Sequence, residues 1–292
     1  MLPREALAQR SGAAIARRFG MTELPVDPFT IAAEEGIRLR PLPAGEAGVS
    51  GVFLFTGVEV GILYRQAPHN PGFERFSLAH ELGHYFIEGH PEMIARAGGR
   101  HESHAGFRSR RQAIEVEADQ FAASLLMPAG SVRALLSEIP VGLDAIAALK
   151  DRAIVSMTAA AIACARHADH PLAIIVSRGH KVDYAFLSES FRKLGRLTFP
   201  RKGQPIPAGA TAGFGADPDK IRKGRRAVGQ CRLGDWFDSA RDLELDEEVI
   251  GLGRSGRILT VLSSENLPRG EDADYGQDED ADLKRRWTPG FR

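Results

Sequence analysis

The chain has 292 residues and a mass of 31.7 kDa, and its 38 basic and 38 acidic side chains give a formal net charge of zero. This length suits one large domain or two ordinary ones, and 43% hydrophobic with 26% charged residues excludes a chain that is disordered throughout. Zero net charge argues against a protein that holds DNA mainly by bulk positive charge, although a local basic patch is compatible with it.

Helical patterns in the first half of the chain bracket a region of strand character. Helices are predicted over three segments with apolar residues at helical spacing, namely 4–19, 74–87 and 113–127. A short helix is also expected to begin at Pro28, because Asp27 is a good N-cap and proline suits the first helical position. Gly36 is expected to close that helix.

Strands are expected between these helices. Residues 37–42 alternate apolar and basic side chains, which predicts one strand. Residues 51–64 are rich in β-forming types around Thr56-Gly57, which predicts a β-hairpin that could offer an edge strand to an extended peptide. The stretch 88–111 is predicted to be a long loop, and loops of this length are typically functional or mobile.

The second half of the chain predicts further helices and then a change to strands. Residues 131–168 are rich in alanine and predict two or three short helices, and strands are expected over 172–176, 183–187 and 258–262, with a loop at 203–215. The sequence therefore predicts an α+β chain in four parts: a first domain at 1–130, a helical segment at 131–169, a second α+β domain at 170–266, and an acidic, disordered tail at 267–292.

Cysteine usage and hydropathy predict a cytoplasmic protein. The two cysteines, Cys164 and Cys231, are far apart, which is unlike a secreted disulfide scaffold. The uncharged run at 153–165 is too short to span a bilayer as a helix, and no apolar run near the N-terminus is typical of a signal peptide. We expect no membrane segment.

One motif dominates the chemistry of the chain. His80-Glu81-x-x-His84 lies within the helix predicted at 74–87, and residues four apart sit on the same helical face. Two imidazoles placed in this way can bind one metal ion, and neutral imidazole is a favoured zinc ligand. Glu81 would lie beside that ion, where it can take a proton from water as the general base.

A third metal ligand is expected from the helix at 113–127. Glu115 and Asp119 lie one turn apart on it, at the edge of its apolar stripe. Glu115 can complete the ligand set, and Asp119 can accept a hydrogen bond from the outer nitrogen of His80 and fix its tautomer. Glu117 is the rival third ligand, and because it lies about 200° around the helix from Glu115 both cannot face one metal ion.

Other polar residues have weaker patterns. A peptide-cleaving site would need a donor for the developing oxyanion, and four residues qualify from the sequence: Tyr64, Tyr85, His101 and His104. The pairs His101-x-x-His104 and His167-x-x-His170 have no third ligand at suitable spacing, so exposed polar loops are expected there. His69 and His90 are interpreted as loop residues.

A family resemblance adds to this interpretation. Residues 76–84, from Phe76 through the His80-Glu81-x-x-His84 motif, together with residues 115–128, ending in Leu-Leu-Met-Pro, resemble the ImmA/IrrE family of metallopeptidases. The segment from Pro25 to Ile37 is also similar to the N-terminal region of that family. The resemblance covers roughly 10–165, and the C-terminal region resembles longer members that carry a GAF-like domain.

The resemblance implies a fold, a cofactor and a substrate class. It implies a zincin-like endopeptidase domain with a gluzincin-type site, with His80, His84 and Glu115 as metal ligands and Glu81 as the base. Zinc is the implied ion, with manganese as an alternative. The implied partner is a helix-turn-helix repressor of the XRE class, which is cut to induce stress-response, radiation-response or mobile-element genes.

Two other functions are compatible with parts of the sequence. Residues 143–166 have the character of a helix-turn-helix, but the second helix, at 158–165, offers almost no side chain able to read base edges, which disfavours a DNA-binding regulator. A ligand-sensing module with an idle or structural metal site is the other alternative. Residues 181–232 hold 12 basic and 4 acidic side chains, which indicates a solvated face or a docking surface for an acidic partner.

Overall fold

A computed structural model describes residues 3–43, 48–67, 69–104, 113–194, 197–237 and 242–264, and the tail predicted at 267–292 lies outside them. The chain is α+β, with two separate sheets and many helices. Its described residues divide into two compact units, one comprising the chain up to Val132 with Leu149–Ala159, the other Arg133–Ala148 with the chain from Ala160 onward. The domain limits expected at 130, 169 and 266 stay a prediction. None of the described helices combines the length and the apolar character that a bilayer crossing requires.

The first unit contains five helices and four strands ahead of residue 127. The helices are α1 (Arg4–Arg18), α2 (Pro28–Glu34), α3 (Pro71–Phe86), α4 (His90–Arg96) and α5 (Ala113–Leu126). The strands are β1 (Arg38–Pro41), β2 (Val49–Phe55), β3 (Val60–Tyr64) and β4 (Arg100–His104). Helices α2 and α3 begin in the same way, since Asp27 and Asn70 accept hydrogen bonds from the backbone N–H groups of Phe29 and Phe73, each with a proline in the first turn.

The sheet of this unit has the order β1-β3-β2-β4. Strand β1 runs parallel to β3, whereas β2 runs antiparallel to both β3 and β4. The hairpin expected at 51–64 is present as β2 and β3, but both strands are interior, so the prediction that the hairpin supplies an edge is wrong. Strand β4 is the edge beside β2, and it lies within the stretch predicted to be a loop.

The described part of that stretch, 88–104, contains α4 and β4. Gly89 provides, just before α4, a backbone turn that residues with a side chain rarely adopt. Gly89 has a φ of 87° and immediately precedes α4. Helix α4 is followed by Gly98 and Gly99, both at positive φ, and the Gly99 carbonyl accepts a hydrogen bond from the Phe55 N–H as β4 starts. Arginine, histidine and serine in β4 conceal its strand character from a hydropathy-based prediction.

Helices α1, α3 and α5 pack together around the core of the unit. Helix α3 also lies against β2, so its residues from Phe76 to His84 are buried on every side. Between α3 and α5, the rings of Phe86 and Phe121 stack with their centroids 5.9 Å apart. The side chains of Leu78, Leu82 and Phe121 are fully buried. A helix buried all round holds its polar side chains in fixed positions, and α3 carries His80, Glu81 and His84.

Close packing of α1 on α5 depends on Gly12. A Cβ added at Gly12 would overlap the backbone carbonyl oxygen of Phe121 and lie 3.0 Å from the backbone nitrogen of Leu125. We expect Gly12→Ala to lower the free energy of unfolding by about 1–3 kcal/mol, because the two helix backbones must separate. Gly130→Ala is the matched control, because nothing lies within 4 Å of a Cβ there. Chemical denaturation of both variants measures the difference, and equal stability would contradict this packing role.

Three short helices follow α5, in agreement with the prediction for 131–168. They are α6 (Ala129–Glu138), α7 (Leu143–Ala153) and α8 (Met157–His167). The Ser156 hydroxyl accepts a hydrogen bond from the Ala159 N–H at 3.1 Å, as expected of an N-cap. Residues of each of these helices are divided between the two units.

The second unit is built on a five-stranded antiparallel sheet with the order β6-β5-β9-β8-β7. Its strands are β5 (Leu172–Arg178), β6 (Lys181–Leu187), β7 (Arg226–Arg232), β8 (Glu244–Gly251) and β9 (Arg257–Ser263). Its short helices are α9 (Glu189–Arg192), α10 (Ala210–Gly215), α11 (Pro218–Arg222) and α12 (Leu233–Trp236). Strands β5, β6 and β9 were predicted, whereas β7 and β8 were not, because their basic and acidic residues resemble solvated segments. Helix α10 lies within the loop predicted at 203–215.

One face of this sheet holds an apolar core. Its buried members include three large aromatic side chains, Phe191, Trp236 and Phe237, and a separate smaller cluster contains Phe214. Both cysteines are buried as free thiols, and burial raises the pKa of Cys164 and of Cys231 to about 12. A thiol with so high a pKa is a structural apolar group and not a nucleophile.

Candidate metal centre

Helices α3 and α5 bring three side chains together. His80 Nε2 and His84 Nε2 are 3.2 Å apart, and Glu115 Oε1 is 3.2 Å from His84 Nε2 and 3.6 Å from His80 Nε2. These are the residues that the sequence names as metal ligands, including Glu115 in preference to Glu117. Within the described part of the chain, this is the one group of three His, Cys, Asp or Glu side chains whose donor atoms all lie within 4.8 Å of one another.

The chemistry of these donors fits a divalent cation. Burial lowers the pKa of His84 to about 3, so its imidazole is neutral and has a lone pair to offer. Burial alone would raise the pKa of Glu115, but the charge of His80 and hydrogen bonds from His101, His80 and His84 outweigh it and hold that pKa well below the usual range. Two imidazoles and one carboxylate leave a further coordination position open, which is the pattern of catalytic zinc sites.

The pKa of His80 is shifted in the opposite direction to that of His84. Burial would lower its pKa, but Glu115 and Asp119 overcome this effect and raise the pKa of His80 well above its usual value. His80 Nδ1 lies 2.8 Å from Asp119 Oδ1, which is the contact that the sequence predicts for the outer nitrogen. A cation that binds at Nε2 would therefore displace a proton from His80, and the Nδ1–H would remain hydrogen bonded to Asp119.

Glu81 lies next to this cluster in a space that Gly51 leaves open. Its side chain is completely buried, and neither carboxylate oxygen makes a hydrogen bond of good geometry among the described residues, although the Ser103 hydroxyl lies near enough to favour the charged form. A Cβ at Gly51 on β2 would lie 2.7 Å from Glu81 Cδ, so only glycine admits the carboxylate. Burial raises the pKa of Glu81 to about 7, which suits a group that must take up and return a proton near neutrality. An unpartnered buried acid of this kind indicates a site made for a ligand or a water molecule.

Glu117, the rival ligand, is buried but points away from the three donors. Its carboxylate accepts hydrogen bonds from Arg4 Nε at 2.9 and 3.0 Å and lies 3.1 Å from His90 Nε2. His90 is fully buried at the start of α4, and its Nδ1 lies 3.2 Å from His84 Nδ1. The interpretation of His90 as a loop residue is therefore wrong. The missed signal is modest, since it consists of a histidine directly after Gly89, the glycine that precedes α4.

Among the four residues considered as oxyanion donors, His101 is the one placed at the cluster. His101 Nε2 is 2.7 Å from Glu115 Oε1, and its ring centre is 4.6 Å from that of His84. Tyr85 instead donates a hydrogen bond to Glu35 Oε2 at 2.9 Å, and Tyr64 packs edge-on against Phe29. Both His101 and His104 lie in strand β4, and strand positions three apart face opposite sides, so this pair does not chelate.

The part of the chain that holds these residues is similar in sequence to known peptidases. Residues 32–164 match a peptidase family model described as the IrrE N-terminal-like domain. This match agrees with the resemblance to the ImmA/IrrE family of metallopeptidases that the motifs of the same region carry. The match to metallopeptidases implies a divalent metal ion, and His80, His84 and Glu115 are the residues that could hold it.

Two particular proteins are similar to the chain. The Radiation response metalloprotease IrrE of Deinococcus deserti is 32% identical over 139 residues, which is 47% of this chain and 46% of that relative. The chain thus matches less than half of the length of this relative. A solved structure described as a Mycobacterium tuberculosis transcriptional regulator has a TM-score of 0.53 at 14% identity, over 89% of this chain and 76% of that one. The second likeness concerns the fold alone.

Proposed function

We propose that the protein is a zinc-dependent endopeptidase with a zincin-like catalytic domain. The convergence of His80, His84 and Glu115 on one point, with the buried and unpartnered carboxylate of Glu81 beside it, is the observation that carries this proposal. Zinc suits two imidazoles and a carboxylate, and manganese is the alternative cation. A cation at these residues would polarise the scissile carbonyl and make a nearby water molecule more acidic.

The side chains of this domain supply the remaining chemistry. Glu81 would accept the proton of the attacking water and later deliver it to the leaving amine. The exposed edge of β4 would hold an extended peptide by backbone hydrogen bonds, with the scissile bond beside Glu81. His101 lies on this edge with its Nε2 2.7 Å from Glu115 Oε1, and its N–H would become available to a developing oxyanion once a cation takes up that carboxylate.

A helix-turn-helix repressor of the XRE class is the proposed substrate, cut in the cytoplasm to induce stress-response or mobile-element genes. The family match supports this choice, as does the Deinococcus deserti relative described as a radiation response metalloprotease. The alternative of a DNA-binding regulator has less support. In the helix that would have to read bases, the residues from Ala159 to Ala165 are buried, and a buried helix cannot enter a groove.

The second unit is proposed to be a GAF-like sensor domain. Its sheet is fully antiparallel, and strand β9, the last in the unit, lies at the centre between β5 and β8. A central last strand with short helices between β6 and β7 supports a GAF-like assignment and a regulatory role. The ligand-sensing function considered from the sequence is thus retained as an addition to the peptidase.

Incubation with an XRE-type repressor tests the proposed function. The zinc-loaded protein is mixed with a purified XRE-type repressor from the same genome, and the masses of the products are measured by mass spectrometry. We expect a single cut, loss of cleavage after chelation, and recovery when zinc is added back. An intact repressor together with cleavage of an unfolded protein would contradict the substrate class, and no cleavage of either would contradict the peptidase.

A further inference from the structure

The two histidines of the metal centre differ in the group that their outer ring nitrogen, Nδ1, contacts. Each presents Nε2 to the centre, so the role of each ligand depends on what its Nδ1 contacts. His80 Nδ1 is 2.8 Å from the Asp119 carboxylate, which is a direct contact with an acid. His84 Nδ1 is 3.2 Å from His90 Nδ1, so its partner is a third imidazole. Nothing in the peptidase chemistry described above uses His90 or Glu117.

The path of the chain explains why His90 is available. Helix α3 ends at Phe86. Gly89, at a φ of 87°, then turns the chain so that α4 begins in contact with α3. His90 is thereby placed against the ring of His84, with ring centres 5.3 Å apart. A histidine with no exposed surface, at the first residue of a seven-residue helix, has no role in solvation. Its two ring nitrogens must find partners inside the protein.

The proton positions in the series of contacts from His84 through His90 to Glu117 follow from hydrogen-bond geometry. When His84 Nε2 offers its lone pair to a cation, the proton of the neutral ring must sit on Nδ1. The Nδ1–H of His84 then donates to His90 Nδ1, which must accept. His90 consequently carries its own proton on Nε2 and donates it to Glu117 Oε2, 3.1 Å away. Each of these groups has one consistent role.

Glu117 is the last buried residue in this series of contacts, and its other partner, Arg4, is at the surface. Its side chain is 4% exposed and accepts both hydrogen bonds from Arg4 Nε, whereas the side chain of Arg4 is 57% exposed. Because Arg4 is largely solvated, its own contribution to the centre is small. The two buried members, His90 and Glu117, are therefore the ones on which His84 depends.

We propose that His90 and Glu117 are positioning residues that hold His84 in the tautomer and orientation required to bind the metal ion. This inference rests on the proposed metal centre and extends it by two residues that are not ligands. The hydrogen bond to the outer nitrogen of a metal-binding histidine typically changes metal affinity 10- to 100-fold. Glu117, the rival ligand in the sequence, therefore acts through His90: it holds His90, which in turn holds His84.

Zinc affinity of two matched His90 variants tests this proposal. In His90→Gln the amide oxygen can accept from His84 and the amide N–H can donate to Glu117, whereas His90→Leu fills similar space without either function. Competition between each purified full-length protein and a chromogenic zinc chelator gives the dissociation constants. We expect His90→Leu to bind zinc about 10- to 100-fold more weakly and His90→Gln to remain close to wild type.

A double-variant cycle with Glu117→Gln tests whether the two residues act as one chain. Among the described residues, Glu117 reaches His84 through His90. Glu117→Gln alone should therefore weaken zinc binding, and adding it to His90→Leu should weaken zinc binding little further. Additive losses would mean that Glu117 does not act through His90 and would overturn this part of the proposal. Thermal unfolding of the metal-free proteins separates changes in zinc affinity from changes in stability.

The outcomes are distinct from those for the peptidase function. Equal losses of zinc affinity in His90→Leu and His90→Gln would indicate packing instead of hydrogen bonding and overturn the proposal. Wild-type affinity in both variants would also overturn it, while leaving the metal centre intact. Failure of the unaltered protein to bind zinc would overturn the metal centre itself. If His90→Leu does not fold, Glu117→Gln decides alone, and unchanged zinc affinity in that variant counts against the proposal.

Discussion

Replacement of Glu81 by glutamine is expected to abolish peptide cleavage while the protein still binds zinc. The amide has nearly the shape of the carboxylate in the space beside Gly51, but it cannot accept the proton of the attacking water. Loss of a general base typically lowers turnover by about 10² to 10⁴-fold. Mass spectrometry of repressor fragments measures the rate, and metal analysis of the purified protein measures zinc content.

Glu88→Gln is the matched control for this variant. Glu88 is exposed two residues beyond the end of α3, so the substitution makes the same change of charge close by, without touching the centre. We expect the control to cleave at the wild-type rate. Cleavage by Glu81→Gln at that rate would show that another group takes the proton, and the assignment of Glu81 as the base would have to be given up.

A single methyl group at Gly51 is expected to have an effect of similar size. The Cβ of Gly51→Ala would lie 2.7 Å from Glu81 Cδ and 2.8 Å from Glu81 Cγ, so the carboxylate must move. Because a displacement of about 1 Å in a catalytic group can lower the rate about 10²-fold, we expect a loss of that order in turnover. Zinc binding should be retained, since the three atoms nearest to this methyl group all belong to Glu81 and not to a metal ligand.

Gly61→Ala on the neighbouring strand provides the comparison. Nothing lies nearer than 3.7 Å to a Cβ at Gly61, so the added methyl group makes only ordinary contacts. The two substitutions are chemically identical and fall on paired strands of one sheet. Equal activity of the two variants would mean that the Glu81 carboxylate can relocate without loss and that Gly51 has no special role.

The sequence predicts which side chains α3 and α5 bring together more readily than it predicts the sheet beside them. His80, Glu81 and His84 are recognisable because a helix repeats every 3.6 residues and the motif lies inside a strong helical pattern. Glu115 is preferred over Glu117 because helical geometry puts the two on different faces, and the structure places Glu115 at 3.2 Å from His84 Nε2. Local periodicity is enough for these inferences.

What the sequence does not predict depends on partners far apart in the chain. Strand β4 contains Arg100, Glu102 and two histidines, so its strand character comes from pairing with β2 and not from its own composition. Strand β7 is also missed, because its arginines at both ends and the Gly-Gln pair within it weaken its strand character, while its alternating burial appears only in the structure. His90 is missed since its burial depends on the turn at Gly89 and on α5, which no short window contains.

The contact between Arg4 and Glu117 joins positions 113 residues apart. During translation, α1 must therefore wait for more than a hundred residues before α5, its packing partner, has left the ribosome. The His80-Glu81-x-x-His84 segment is also made before Glu115, so the nascent chain holds two histidine ligands without the carboxylate. Contacts of such high sequence separation form late in folding, and firm capture of a metal ion would accordingly be one of the last events in the maturation of this domain.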